Sequence, residues 1–272
     1  MDEGPRGWGV PLYEQVLSGL EPGAPLLDVG CGAGTFTAFA AARGWTVSGA
    51  DTDRSALAVA ERELPGVDLR LTDAHDLPWP DDAFGQVTLV QVLAHVTNPI
   101  VALREAARVC EPGGRVRATV WGRPEECDVG EFGRALAPFL PGAPAPAEGR
   151  RPSGLGGSSS PGCASTPARP GRSGGGPPPL TEPDRLRKVA GLAGLAVRDL
   201  HEVVCTFDYA DADELVGPVL DSALGRRAVM RSTGGPRAVK RALLTGLERF
   251  RDGDGYRLHN TFRVLDAAPA GD

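Results

Sequence analysis

Between residues 25 and 121, short apolar runs alternate with segments of helical period, which predicts a parallel sheet joined by crossover helices. The runs 25–29, 46–50, 68–71, 86–90 and 115–121 read as strands. The fourth of these, Gln86-Val87-Thr88-Leu89-Val90, is nearly all apolar, as expected of a strand covered on both faces. Helical segments fall at 36–42 and 55–63. A further helix opens at Asn98-Pro99, an N-cap followed by proline at the first helical position, with Ile100, Leu103, Ala106, Ala107 and Cys110 on one face. Glu111-Pro112-Gly113-Gly114 turns the chain into the fifth strand. Ahead of the sheet, Leu12, Val16 and Leu20 mark the inner face of an amphipathic N-terminal helix.

The pattern lapses between 141 and 180, where Pro, Gly and Ser dominate and too little apolar surface is available to offset ordering entropy. This stretch reads as a flexible insertion, and Arg150, Arg151, Arg169 and Arg172 within it as solvated linker charge. Structure resumes at Thr181-Glu182-Pro183-Asp184, a capping-box-like start to a helix with Leu186, Val189 and Leu192 turned inward. A strand at 196–205, two helices at about 211–224 and 236–250, and an alternating strand at 256–265 complete the chain.

Composition narrows the class. A chain of 272 residues with 41% hydrophobic and 24% charged positions has ample length for a buried core. Its formal charge of −6 argues against nucleic acid as a partner. No apolar run is long enough to span a membrane, and Met1-Asp2-Glu3-Gly4-Pro5 lacks the basic, then apolar, start of a secretory signal, so a cytoplasmic location is the expectation. Five scattered cysteines (Cys31, Cys110, Cys127, Cys163, Cys205) offer neither a CxxC pair nor a cluster with histidine, so no metal site is expected.

The chemistry gathers at the ends of the strands. Asp28-Val29-Gly30-Cys31-Gly32-Ala33-Gly34 joins the first strand to the first crossover helix, where glycines let a ligand approach the main chain. Taken alone, such a loop indicates only a nucleotide-like ligand. The spacing is GxGxG, with Thr35 where a dinucleotide fingerprint has its third glycine, which disfavours an NAD-dependent oxidoreductase. Asp51, about 20 residues downstream at the end of the second strand, can accept hydrogen bonds from two ribose hydroxyls. Asp53 is the better candidate to cap the following helix. Asp73-Ala74 closes the third strand, where a carboxylate can accept from an exocyclic amine and neighbouring main chain can donate to a ring nitrogen.

Together these segments resemble the class I S-adenosylmethionine-dependent methyltransferases. Leu26 to Gly34 looks like their first motif. Asp73-Ala74-His75-Asp76-Leu77-Pro78-Trp79-Pro80-Asp81-Asp82-Ala83-Phe84 and Ala102 to Val116 are similar to two segments of the ubiquinone- and menaquinone-biosynthesis-like branch, the methyltransferase type 11 domain. The likeness covers about residues 8–121 and departs at Gly85, where the branch usually has aspartate, and at Val90 to Val96. It implies an α/β, Rossmann-like sheet of seven strands in the order 3-2-1-4-5-7-6, the last antiparallel, with the flexible insertion and a helical cap after the fifth strand. The implied division is a cofactor-binding core at 1–125, a variable insertion at 126–180, and a part at 181–272 that completes the sheet and covers an acceptor pocket.

The resemblance also implies S-adenosyl-L-methionine as cofactor and a small-molecule methyl acceptor, in a monomer or homodimer. Gly30, Cys31 and Gly32 would border the methionine moiety, Asp28 would assist its amine, Asp51 and Thr52 would hold the ribose, and Asp73 and Ala74 the adenine. Gln91 would face the sulfonium region and Tyr13 close over the cofactor. His95 is the candidate general base, with packing beside the cofactor as its competing role. His259 and Asn260 read as the start of the last strand, and His201 as structural. Two other readings stand beside methyl transfer: non-methyl chemistry with the same cofactor, and a non-catalytic regulatory protein on this fold.

Overall fold

The computed structural model describes residues 7–141 and 179–270. The expected flexible insertion therefore lies largely outside the described residues, as does Cys163. The chain forms two compact units, one drawn from Met1–Arg123, Gly175–Cys205 and Thr261–Asp272, the other from Pro124–Gly174 and Thr206–Asn260.

The first unit is a sheet clad with helices on both faces. In chain order it comprises α1 (Val10–Leu17), β1 (Leu26–Val29), α2 (Thr35–Ala41), β2 (Val47–Asp51), α3 (Arg54–Glu63), β3 (Asp68–Leu71), β4 (Phe84–Val90), α4 (Pro99–Val109), β5 (Cys110–Trp121) and α6 (Pro183–Leu192). It also takes the first part of β6 (Leu195–Tyr209) and the last part of β8 (Gly255–Pro269). The second unit holds α5 (Gly130–Leu136), α7 (Ala212–Asp221), α8 (Ala223–Arg231), α9 (Gly235–Leu247), the two-residue β7 (Arg251–Asp252) and the start of β8, with which β7 pairs.

The strand order is β3-β2-β1-β4-β5-β8-β6, with β8 antiparallel to β5. With the short β7 set aside, this is the expected seven-strand order with its antiparallel last strand. Central β1 is buried along its whole length and pairs in parallel with β2 and β4, Leu27 facing Ser48 on one side and Val87 on the other. One core packs α4 and α6 against the sheet through Leu103, Ala106, Leu186 and Val189. The other packs α1 and α2 through Val16, Phe36, Ala40 and Trp45. Arg117 on β5 ties α1 down, donating to the carbonyls of Val16 at 2.8 Å and Ser18 at 2.7 Å and to Asp266 at 3.0 Å.

Local chemistry explains most boundaries. Asp53 caps α3 through Ser55 N–H at 2.8 Å, and Asn98 caps α4 through Ile100 N–H at 3.1 Å, as their positions predict. Gly85 explains its own departure from the family pattern, because a Cβ there would stand 2.3 Å from that of Ala24. The turn 111–114 is an excursion within β5: Phe84 pairs with Cys110, then the register jumps so that Gln86 pairs with Arg115.

Several expectations are corrected. Glu182, not Thr181, is the N-cap of α6, and no side chain caps it. Leu192 is 52% exposed because the buried face of α6 runs through Leu186, Val189 and Ala190 to Ala193, leaving 192 a third of a turn away. The helix expected at 211–224 is two helices, broken at Ser222, whose extended backbone and hydroxyl (accepting from Gly225 N–H at 3.0 Å) start α8. The seven-residue α5 was not anticipated; it contains two glycines and has no side-chain cap.

Candidate active site

A pocket of about 330 Å³ opens at the carboxyl ends of the parallel strands, within the first unit. Open α/β sheets bind ligands at this end, where the strand order reverses, here between β1 and β4. Gly30, Gly32, Asp51, Thr52, Asp73, Ala74, Gln91 and His95 line it, so seven of the ten expected cofactor residues and the candidate base meet in one place. Thr72, His75, Val92, Val96 and Thr97 also line it and were not anticipated as site residues.

The glycine loop and β2 are joined through Asp51. Its Oδ2 accepts from Gly32 N–H at 2.7 Å and its Oδ1 from Asp53 N–H at 2.8 Å. Both oxygens are thus held by main chain, each with a lone pair left for a ligand hydroxyl. The loop follows the strand because Gly30 and Cys31 both donate to the Ala50 carbonyl, at 2.6 and 3.0 Å. A Cβ on Gly32 would meet no protein atom within 4 Å, which leaves a cradle beside the main chain at the pocket wall.

Asp73 enters the pocket from the turn after β3. The main-chain N–H of His75 donates to Asp73 Oδ1 at 2.9 Å, and the His75 ring nitrogen Nδ1 contacts the same oxygen. Hydrogen bonding from His75 holds the Asp73 carboxyl below the usual carboxylate range, so it is an anion and an acceptor at neutral pH. Gln91, just past the end of β4, has φ of 61°, a left-handed conformation uncommon for a residue with a side chain. Thr119 fixes it, its Oγ1 lying 3.0 Å from Gln91 N and 2.9 Å from Nε2.

Three expected residues lie outside the pocket lining. Asp28 is 1% exposed beneath the loop, where Thr37 donates to it at 2.7 Å, and burial pushes its carboxyl up to about 7. Its neighbour Cys31 points inward, and burial with the nearby Asp28 and Asp51 carboxylates pushes its thiol well above the usual range. Tyr13 is turned into the core of α1 and α2, edge-on to Phe36 and Phe39 at 5.1 and 5.3 Å between ring centres. Each is adjacent in sequence or fold to the site, but the inward side of its element is the side that carries the chain.

His95 is exposed at the pocket rim, its N–H held by the Val92 carbonyl at 2.8 Å. His201 is paired with Asp199 at 2.8 Å on β6. In the second unit, Asn260 is buried and accepts from Val129 N–H at 3.1 Å, while the His259 main-chain N–H donates to Asp128 at 2.7 Å. Among the described residues no group of three His, Cys, Asp or Glu is placed to hold a metal ion, and no helix is long and apolar enough to cross a membrane.

Fold and site together define a Rossmann-like α/β domain with a pocket at the carboxyl ends of its parallel strands. Residues 27–118 match the family model described as the methyltransferase domain. Over 112 residues the chain is 37% identical to the methyltransferase GfsG of Streptomyces halstedii, covering 39% of this chain and 40% of that protein. Over 97 residues it is 41% identical to a demethylmenaquinone methyltransferase of Clavibacter sepedonicus, covering 35% of this chain and 40% of the relative. These matches span well under two thirds of the relatives' own length. Among solved structures, the [4+2]-cyclase SpnF superposes with a TM-score of 0.54 at 22% identity, covering 96% of this chain and 81% of that one, a likeness of fold.

Proposed function

We propose that the chain is an S-adenosylmethionine-dependent methyltransferase acting on a small molecule. The observation that carries this reading is the convergence of Asp51, Asp73 and the Gly32 cradle on one pocket, from the ends of the neighbouring strands β2, β3 and β1. Asp51, preorganised by two main-chain donors, binds the ribose hydroxyls with Thr52 beside it. Asp73 accepts from the adenine amine, with Ala74 next to the ring. Gly30 and Gly32 border the methionine end, and Gln91 faces the reacting region from the end of β4.

When bound, S-adenosylmethionine supplies an activated methyl group for direct displacement by an O, N or C nucleophile. The protein's contribution is then positioning, which alone can supply much of the acceleration. Where the acceptor's own proton must leave, His95 is the residue at the pocket rim able to take it. Asp28 and Cys31 act from beneath, shaping the loop, and Tyr13 fixes α1 against α2.

Calorimetric titration with S-adenosylhomocysteine tests the reading. Saturable one-site binding, with NAD failing to bind, is the expected result. Release of S-adenosylhomocysteine from S-adenosylmethionine in the presence of a panel of small acceptors then separates methyl transfer from non-methyl chemistry. Absence of binding to either form of the cofactor overturns the proposal.

A further inference from the structure

We infer that His75 is a positioning residue that sets which purine the pocket takes. The inference rests on the cofactor reading above and deepens it. The His75 ring bridges two elements that the chain separates by 23 residues, the turn after β3 and the N-cap of α4. Its Nδ1 faces Asp73 Oδ1, while its Nε2 lies 3.1 Å from both the N–H and the carbonyl of Asn98. The side chain is 20% exposed, held between these partners, and lines the pocket.

The proton on Nδ1 follows from its partner. A carboxylate repels a bare ring nitrogen, so Nδ1 carries a proton and donates it to Asp73. Nε2 lies 3.1 Å from the main chain of Asn98, which anchors the far side of the ring. Asn98 cannot drift, because its side chain caps α4 through Ile100 and Val101. The turn itself is closed by Asp76 N–H to the Asp73 carbonyl at 3.0 Å and by the Thr72 hydroxyl to the Asp76 carbonyl at 2.9 Å.

The consequence falls on Asp73. Its Oδ1 takes both the main-chain N–H and the ring N–H of His75, while Oδ2 accepts no bond among the described residues. One oxygen is engaged and one is offered, in a fixed orientation, on a side chain that is otherwise 58% exposed and free to rotate. An acceptor held in this way rewards a purine with an exocyclic amine and rejects one with an exocyclic carbonyl, which would bring two acceptors together. His75 thereby makes the adenine preference sharper than an unsupported aspartate would.

Two amide variants read this directly, since each mimics one ring nitrogen. The Asn amide nitrogen stands near Nδ1, the Gln amide nitrogen near Nε2. Binding of S-adenosylhomocysteine and of S-inosylhomocysteine, which differ in the amine and the carbonyl, is measured by calorimetry for the unmodified chain, His75→Asn and His75→Gln. For His75→Gln the expected result is roughly tenfold weaker S-adenosylhomocysteine binding with S-inosylhomocysteine unchanged, the effect of loosening one charge-assisted contact. His75→Asn should stay within about threefold of the unmodified chain for both ligands, the fraction of that effect left when the Nδ1 donor is kept. Equal losses on both ligands, or equal behaviour of the two variants, overturn the inference and leave the cofactor reading intact. Failure of the unmodified chain to bind S-adenosylhomocysteine overturns that reading instead.

Discussion

The main-chain N–H of Gly32 donates to Asp51 Oδ2 at 2.7 Å, across 19 residues of sequence, so the glycine loop and the end of β2 form one rigid edge of the pocket. In the proposed function Asp51 therefore has two tasks, organising the loop and accepting from the ribose. Asp51→Asn keeps an acceptor for one of them and turns a donor toward Gly32 or Asp53. We expect Asp51→Asn to weaken S-adenosylhomocysteine by about tenfold to a hundredfold, and Asp51→Ala by more, as loss of one or two charged hydrogen bonds implies. Calorimetry supplies the comparison. Unchanged affinity in the alanine variant would remove Asp51 from the site.

Gly30 is constrained from two sides. Its φ is +74°, and a Cβ built there would lie 2.3 Å from Val92 Cγ2, the residue that leads out of β4 and lines the pocket. Gly30→Ala should cost on the order of 2–4 kcal/mol, part steric and part conformational. Adding Val92→Ala relieves the contact and leaves the φ strain, so the double variant should recover roughly half of that loss. Urea unfolding of the four proteins in this cycle gives the answer, and full additivity of the two losses would contradict the geometry.

Arg108 on α4 locks the loop that follows β3. It donates to the carbonyls of Leu77 and Trp79, both at 2.9 Å, and pairs with Glu105 at 2.7 Å and Asp81 at 2.8 Å. Glu105 answers by accepting from Leu77 N–H at 3.0 Å, and the Arg108 guanidinium holds its carboxyl below the usual range. Lysine keeps the charge but not the fork, so Arg108→Lys should destabilise by about 1–3 kcal/mol. The loop also carries His75, and hydrogen exchange of residues 73–81 should rise with the loss of stability. A neutral Arg108→Lys would show that the loop is held by Leu77 and Trp79 burial alone.

Asp51 and Asp73 were legible in the sequence because parallel strands end at defined points and place the next polar residue at the pocket. The sheet order came from the likeness to a known family, since the apolar runs mark the strands but not their neighbours. What sequence could not give was direction. Asp28, Cys31 and Tyr13 sit on the right elements but face inward, and the side a residue faces at a strand end or on a short helix depends on the neighbours that fold back over it. His75 stayed hidden for a related reason: its partner Asn98 is 23 residues away and is used through its main chain, which no side-chain pattern reports. The break at Ser222 was hidden as well, since an apolar period continues through it and only the cap chemistry interrupts the helix. Gly85 reads as a departure until Ala24 is seen against it.

Asp28 makes stability depend on pH in a direction opposite to most carboxylates. Burial raises its carboxyl to about 7, with Asp51 adding to the effect and Thr37 and Thr88 opposing it. In the unfolded chain an aspartate titrates near 3.9, so the folded state binds the proton more tightly. The contribution is fully favourable below about pH 4, declines as pH rises, and is lost once pH passes about 7. The cost of ionising this buried group in the folded state is on the order of 4 kcal/mol. Asp28→Asn removes the titration and keeps an acceptor for Thr37. The variant should match the parent below about pH 4 and be more stable than it at pH 8, with urea midpoints at the two pH values as the measurement. A parent whose advantage over Asp28→Asn grows with pH would show instead that the carboxylate is stabilised beneath the glycine loop.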